Sequence, residues 1–165
     1  MFRVVGIDPG QQGGVACLGH ALHLRDDEPR FQAKLMPYIA KEFSAKGLQE
    51  LVAAYKPDLL VVEHAQPMPK QGVTSMFNYG RDFGKILAVC ELAEIPWQLV
   101  RPPAWKKRVL AGTARDKNAA INHVRHRYPW VDLTPGRRTK PHDGIADAVC
   151  IAEWGVKELL RGGDD

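Results

Sequence analysis

Residues 4–18, VVGIDPGQQGGVACL, decide how the chain starts to fold. Two apolar, strand-forming runs flank Pro9-Gly10-Gln11-Gln12, and the Pro-Gly pair supplies turn chemistry. Residues 2–8 and 13–19 therefore read as the arms of a hairpin. The first arm stops on a charge, Asp8. Asp-Pro-Gly is a favourable turn with Asp at its first position. Asp8 is thus either the start of a turn or the first ligand of an active site, and this stretch alone does not separate the two.

Working outward, HALHLRD (residues 20–26) alternates in the strand manner and predicts a third strand, completing an antiparallel meander. Residues 39–56 carry Ile39, Phe43, Leu48, Leu51, Val52 and Tyr55 at near-helical spacing, and Lys56-Pro57 ends that helix. DLLVVE (58–63) is an apolar strand that again stops on a carboxylate, Glu63. A loop follows, HAQPMPKQGV. A long helix is predicted over 74–94, broken by Ile95-Pro96, then a short strand, WQLV. Helices over 103–110 and 115–128, a basic loop TPGRRTKPHDG and a last helix over 143–160 complete the order β-β-β-α-β-α-β-α-α-α. A meander followed by crossover units gives an α/β fold: a mixed five-stranded sheet with helices on its faces. The expectation is one domain over residues 1–160, with 161–165 a flexible tail.

The chain has 165 residues, 45% of them apolar, and an ordinary charged fraction, which excludes a disordered chain. No apolar run reaches the ~18 residues of a membrane span, and no signal-peptide pattern opens the sequence. Cys17, Cys90 and Cys150 each sit in an apolar run, which predicts buried free thiols and a reducing compartment. The net charge of +4 is unevenly placed. Residues 101–140 hold eleven of the 23 lysines and arginines but only two of the 19 acids, for a net of +9; the remainder is net −5. Such a segment is either a solvated face or a polyanion-binding surface.

Four acids occupy unusual positions: Asp8 and Glu63 end strands, and Asp143 and Asp147 stand four apart on the last helix, on one face. Each has an ordinary explanation, as turn, strand end or helix cap, except Asp147. It lies within GIADAVCIAEW among residues that read as buried, where an unpaired carboxylate is costly. One hypothesis covers all four. Clustered hard oxygen donors suit Mg²⁺ or Mn²⁺. Two such ions ~4 Å apart activate water and stabilise the leaving oxygen in phosphodiester hydrolysis. The basic segment then has a phosphate backbone to hold.

With those residues in view, the chain resembles the RuvC family of Holliday junction resolvases, and the phage-type RuvC-like proteins in particular, within the RNase H-like superfamily. The matching pieces are VVGIDPGQQGGVA, LLVVE, RPPAWKKRVLAGTARDK and HDGIADAVCIAEWG, in the family's order over nearly the whole chain. The resemblance implies an RNase H-like fold, a homodimer, and Mg²⁺-dependent paired nicking of four-way DNA junctions. Bacterial cytoplasm, or that of a phage-infected cell, is the implied setting. It carries Asp8, Glu63 and Asp147 over as metal ligands, with Asp143 or His142 as the fourth and Asp143 favoured. Lys107 falls where the family has a lysine at the scissile phosphate, and Lys117 near a second basic position. Lys106, Arg108, Arg115 and, beside Asn78 and Tyr79, Arg81 are the further candidates for DNA contact.

Two departures stand out. The last two carboxylates are four apart, where classical members often space them three apart. Classical members also often carry an aromatic shortly after the central Glu; here Gln66 and Met68 follow Glu63. Three other readings compete with this one. A nuclease of the same fold acting on flaps or RNA–DNA hybrid would share the chemistry. A non-catalytic DNA-binding module would have no need of repelling acids. An actin-like ATPase needs two lobes, and the chain has room for one.

Overall fold

A computed structural model describes residues 2–20, 31–64, 66, 72–113 and 116–161. Phe2–Asp8 (β1) and Gly14–His20 (β2) pair antiparallel, Phe2 opposite His20 and Asp8 opposite Gly14. Phe31–Leu35 (β3) pairs antiparallel with β2. The third strand is therefore built from residues 31–35. Of the segment expected to form it, His20 ends β2 and residues 21–26 lie outside the described residues.

The second correction lies between residues 38 and 44. The expected helix over 39–56 begins only at Ala45, because Tyr38–Ile39 (β4) and Glu42–Phe43 (β5) form a small hairpin. Ala40 and Lys41 turn it with φ of 49° and 66°, the left-handed pair that a two-residue hairpin turn requires. Ser44 then caps the helix Ala45–Tyr55 (α1), its Oγ accepting the Gly47 N–H at 3.0 Å.

Leu59–Glu63 (β6) lies parallel to β1, and Trp97–Val100 (β7) parallel to β6, with Glu63 opposite Val100. The helix Val73–Leu92 (α2) connects them. The sheet order is β3-β2-β1-β6-β7, the mixed five-stranded sheet expected. Pro102–Val109 (α3), Ala119–Arg127 (α4) and Asp143–Arg161 (α5) follow.

Strand alternation divides the core in two. Val4, Ala16, Leu18, Leu59 and Val61 face α3, α4 and α5; Val5, Ile7, Val15, Cys17, Leu60 and Val62 face α1 and α2. The central strands are apolar on both faces because both are covered. α5 packs so close that a Cβ on Gly6 of β1 would lie 2.2 Å from the Ala148 carbonyl oxygen. The β1–β2 turn abuts the same helix: a Cβ on Gly144 would lie 2.0 Å from the Gln12 carbonyl oxygen. These contacts of backbone on backbone set the start of α5 against the end of β1. All three cysteines are buried and free. Among the described residues no helix is long and apolar enough to cross a membrane.

Candidate active site

The fold gathers the four acids at one end of the sheet. β1 and β6 run parallel, so Asp8 and Glu63, the last residue of each, emerge at the same edge. α5 starts there with Asp143, and Asp147 follows one turn later. Asp8 feels the charge of all three others. Burial raises its pKa well above the ordinary carboxylate range, and repulsion from Glu63, Asp147 and Asp143 raises it further. Asp147 is pushed up to about 6, first by burial and then by Glu63 and Asp143. Among the described residues no three His, Cys, Asp or Glu side chains are gathered tightly enough to hold a single ion. The carboxylates share an electrostatic field rather than a closed ligand shell.

One cation opposes that field. Lys106 is the lysine whose charge lowers the pKa of both Asp8 and Asp147. Its Nζ lies 5.2 Å from the ring centroid of Trp105, a cation–π contact. Trp105 is fully buried, and its indole N–H donates to Glu63 Oε2 at 2.7 Å. One side chain thus braces the central glutamate and seats the lysine beside it. Sequence reasoning missed Trp105. The available signal was a lone large aromatic in an otherwise basic helix, PPAWKKRV.

The other expected site residues divide. Lys107 is exposed, and with Lys106 lines a cleft closed by Ala111, Gly112, Thr113 and Asp116. Lys117 is exposed beside α4. Arg108 is half-buried and ion-paired with Glu158, and donates to the Lys157 carbonyl oxygen at 2.8 Å, so it braces α3 against α5. Arg81 pairs with Glu42 at 3.0 Å and with buried Asp82 at 3.1 Å, an arrangement that Tyr38 completes by donating to Asp82. Arg115 and Met68 lie outside the described residues, and Gln66 is exposed.

His142 is 2% exposed and caps α5: its Nδ1 accepts the Ile145 N–H at 3.2 Å. Burial and the charge of Arg138 lower its pKa. With Nδ1 accepting, the ring proton resides on Nε2, leaving no free lone pair for a metal. Tyr79, which the sequence placed only beside Arg81, packs over the turn, where a Cβ on Gly10 would lie 3.3 Å from its ring. Burial, and then Asp8 and Glu63, push its hydroxyl up to about 12.

No protein-family model matches this chain, and no curated protein matches it. Solved structures do. RuvC of T. thermophilus, in complex with Holliday junction substrate, superposes with a TM-score of 0.70 at 19% identity, over 98% of this chain and 97% of that one. The fold is shared with RuvC. It is the RNase H-like fold, and the sheet and its flanking helices correspond almost end to end. The fowlpox virus resolvase, in complex with substrate Holliday junction DNA, gives 0.52 at 13% identity over 94% and 99% of the two chains. The yeast mitochondrial Holliday junction resolvase gives 0.55 at 12% identity over 95% and 80%.

Proposed function

We propose that the protein is a structure-selective endonuclease that resolves four-way DNA junctions by metal-dependent phosphodiester hydrolysis. The observation that carries this reading is the convergence of Asp8, Glu63, Asp143 and Asp147 at one sheet edge, with Lys106 alongside, in a fold shared with resolvases bound to such junctions.

The chemistry of the donor set, though not its present spacing, fits a hard divalent cation. All four side chains are carboxylates, and two are held at a raised pKa that positive charge would relieve. Asp8, Glu63, Asp143 and Asp147 would hold Mg²⁺, with Mn²⁺ as a substitute and two ions as the expected number. Asp143 rather than His142 completes the set, since the histidine's acceptor nitrogen is engaged in the helix cap. The bound metal supplies charge neutralisation and a water activated for attack on phosphorus.

The chain's own residues do the rest. Trp105 fixes the rotamer of Glu63. Lys106 is placed to stabilise charge developing on the phosphate, with Lys107 and Lys117 holding the strand beyond it. Lys106 is thus the stronger candidate for the lysine at the scissile phosphate, and Lys107 a neighbour on the DNA path. Arg81 and Arg108 serve as structural braces. Two nicks placed symmetrically on a junction call for two active sites, hence a homodimer. The exposed apolar residues Val73, Phe77 and Leu92 of α2 are the natural seam for a second copy.

Asp147→Asn tests the site. The variant should lose Mg²⁺-dependent cleavage by about a thousandfold or more while binding a labelled four-way junction with near-normal affinity. Cleavage at the normal rate would overturn the metal-cluster reading.

A further inference from the structure

The basic segment is not one uniform surface. Arg108 is paired with Glu158, and Arg127 with Glu153. A groove of about 410 Å³ lies between α4 and the chain leading into α5, lined by Lys117, Asn118, Asn122, Arg125, Lys140 and Asp143. Among the described residues, Lys117, Arg125 and Lys140 have no carboxylate within ion-pairing distance. Asp143, at the head of α5, is the one acid in its wall, so the groove opens onto the carboxylate cluster.

We propose that this groove is a binding subsite for the phosphodiester backbone of one nucleic-acid strand, the stretch that continues from the strand held at Asp143. The inference rests on the nuclease reading above and adds Asn118, Asn122, Arg125 and Lys140 to the substrate path. Asn118, Asn122 and Arg125 recur at spacings of four and three, so they form one ridge along α4. At ~1.5 Å per residue the ridge spans about 10 Å, enough for roughly three nucleotides at ~3.4 Å each. The composition fits a polymer of phosphates. Three unpaired cations supply charge, and two amides supply neutral donors to phosphate and sugar oxygens. The floor is Ile121, buried, which leaves the polar side chains at the rim. A small anion would need one point of charge; this groove distributes its cations along its length.

The test compares wild type with Arg125→Ala/Lys140→Ala and with a control pair, Lys46→Ala/Lys85→Ala, whose positions line a cleft between α1 and α2 on the other side of the sheet. Binding of a fluorescein-labelled four-way junction is measured by anisotropy from ~50 to ~200 mM salt without divalent cation. The groove variant should bind about tenfold more weakly near ~0.1 M salt, with its salt slope reduced by about two, while the control pair stays near wild type. Wild-type affinity and slope in the groove variant overturn the subsite, as does an equal loss in the control pair or a wild type that binds no nucleic acid. Groove-dependent binding without cleavage of any junction in Mg²⁺ supports the subsite and counts only against the nuclease reading.

Discussion

Trp105 shows how much of the proposed site depends on residues that do no chemistry themselves. Its N–H bond to Glu63 and its ring beneath Lys106 organise two functional groups from one buried position. Trp105→Phe keeps most of the packing and removes the donor. It should lower the cleavage rate and the apparent Mg²⁺ affinity by about tenfold, the usual effect of removing a partner that orients a ligand. Unchanged Mg²⁺ dependence in a titration of cleavage would remove Trp105 from the site. In the proposed site, Asp147 sets stability against activity. Its pKa is raised to about 6, so the folded, metal-free protein carries a penalty above that pH which shrinks as pH falls from 6 towards 4. Asp147→Asn should therefore raise unfolding stability in EDTA at pH 7 by on the order of 1–2 kcal/mol, with little gain at pH 4. The four acids were legible in the sequence because charge at the end of an apolar run is conspicuous. Trp105 was not, since burial and a hydrogen bond 42 residues away leave no local pattern.

At the scale of elements, α5 carries the most consequence. It packs backbone to backbone on Gly6 and against the β1–β2 turn, which delivers Asp143 and Asp147 to the end of β1. Further along, its buried Glu153 accepts from His123 at 2.7 Å and from Lys157 at 2.8 Å, with Arg127 at 3.5 Å, tying α4 to α5. Burial alone would raise the Glu153 pKa; hydrogen bonds and charge from His123 and Lys157 overcome it and hold it at about 2, against an ordinary 4.5. A carboxylate depressed on folding stabilises above its unfolded pKa, and that contribution is lost as pH falls through the folded value. Urea unfolding between pH 5 and 2 should show a loss on the order of 3 kcal/mol from this group. Glu153→Gln should be less stable at pH 7 and lose correspondingly less over that window. An equally steep acid loss in the variant would place its origin elsewhere. Helix periodicity made α2 and α5 readable, and apolar runs made β1, β6 and β7 readable. The β4–β5 hairpin was hidden because Ala40 and Lys41 make a left-handed turn without the Asn or Gly that announces one. β3 was hidden because HALHLRD offers a more regular alternation than FQAKL, and sequence order alone does not choose which run pairs with β2.

At the scale of the molecule, the two faces of the sheet have separate tasks. α5, with α3 and α4, positions the acids and the free cations; α1 and α2 cover the opposite face, and α2 leaves Val73, Phe77 and Leu92 exposed at 87%, 70% and 78%. The net +9 of residues 101–140 was legible as a basic segment, solvated face or polyanion surface alike, yet its division into braces and free cations needed the fold, because Arg108 and Glu158 are 50 residues apart. The central claim joins the carboxylate cluster to one class of substrate, and a cleavage panel tests it most directly. A four-way junction, a flap, a linear duplex and an RNA–DNA hybrid are incubated with the protein, each with Mg²⁺ and with EDTA. The account predicts paired, symmetric nicks in the four-way junction, in Mg²⁺ alone, with the other substrates cut far more slowly. Cleavage in EDTA, or faster cutting of the flap or hybrid than of the junction, would contradict it.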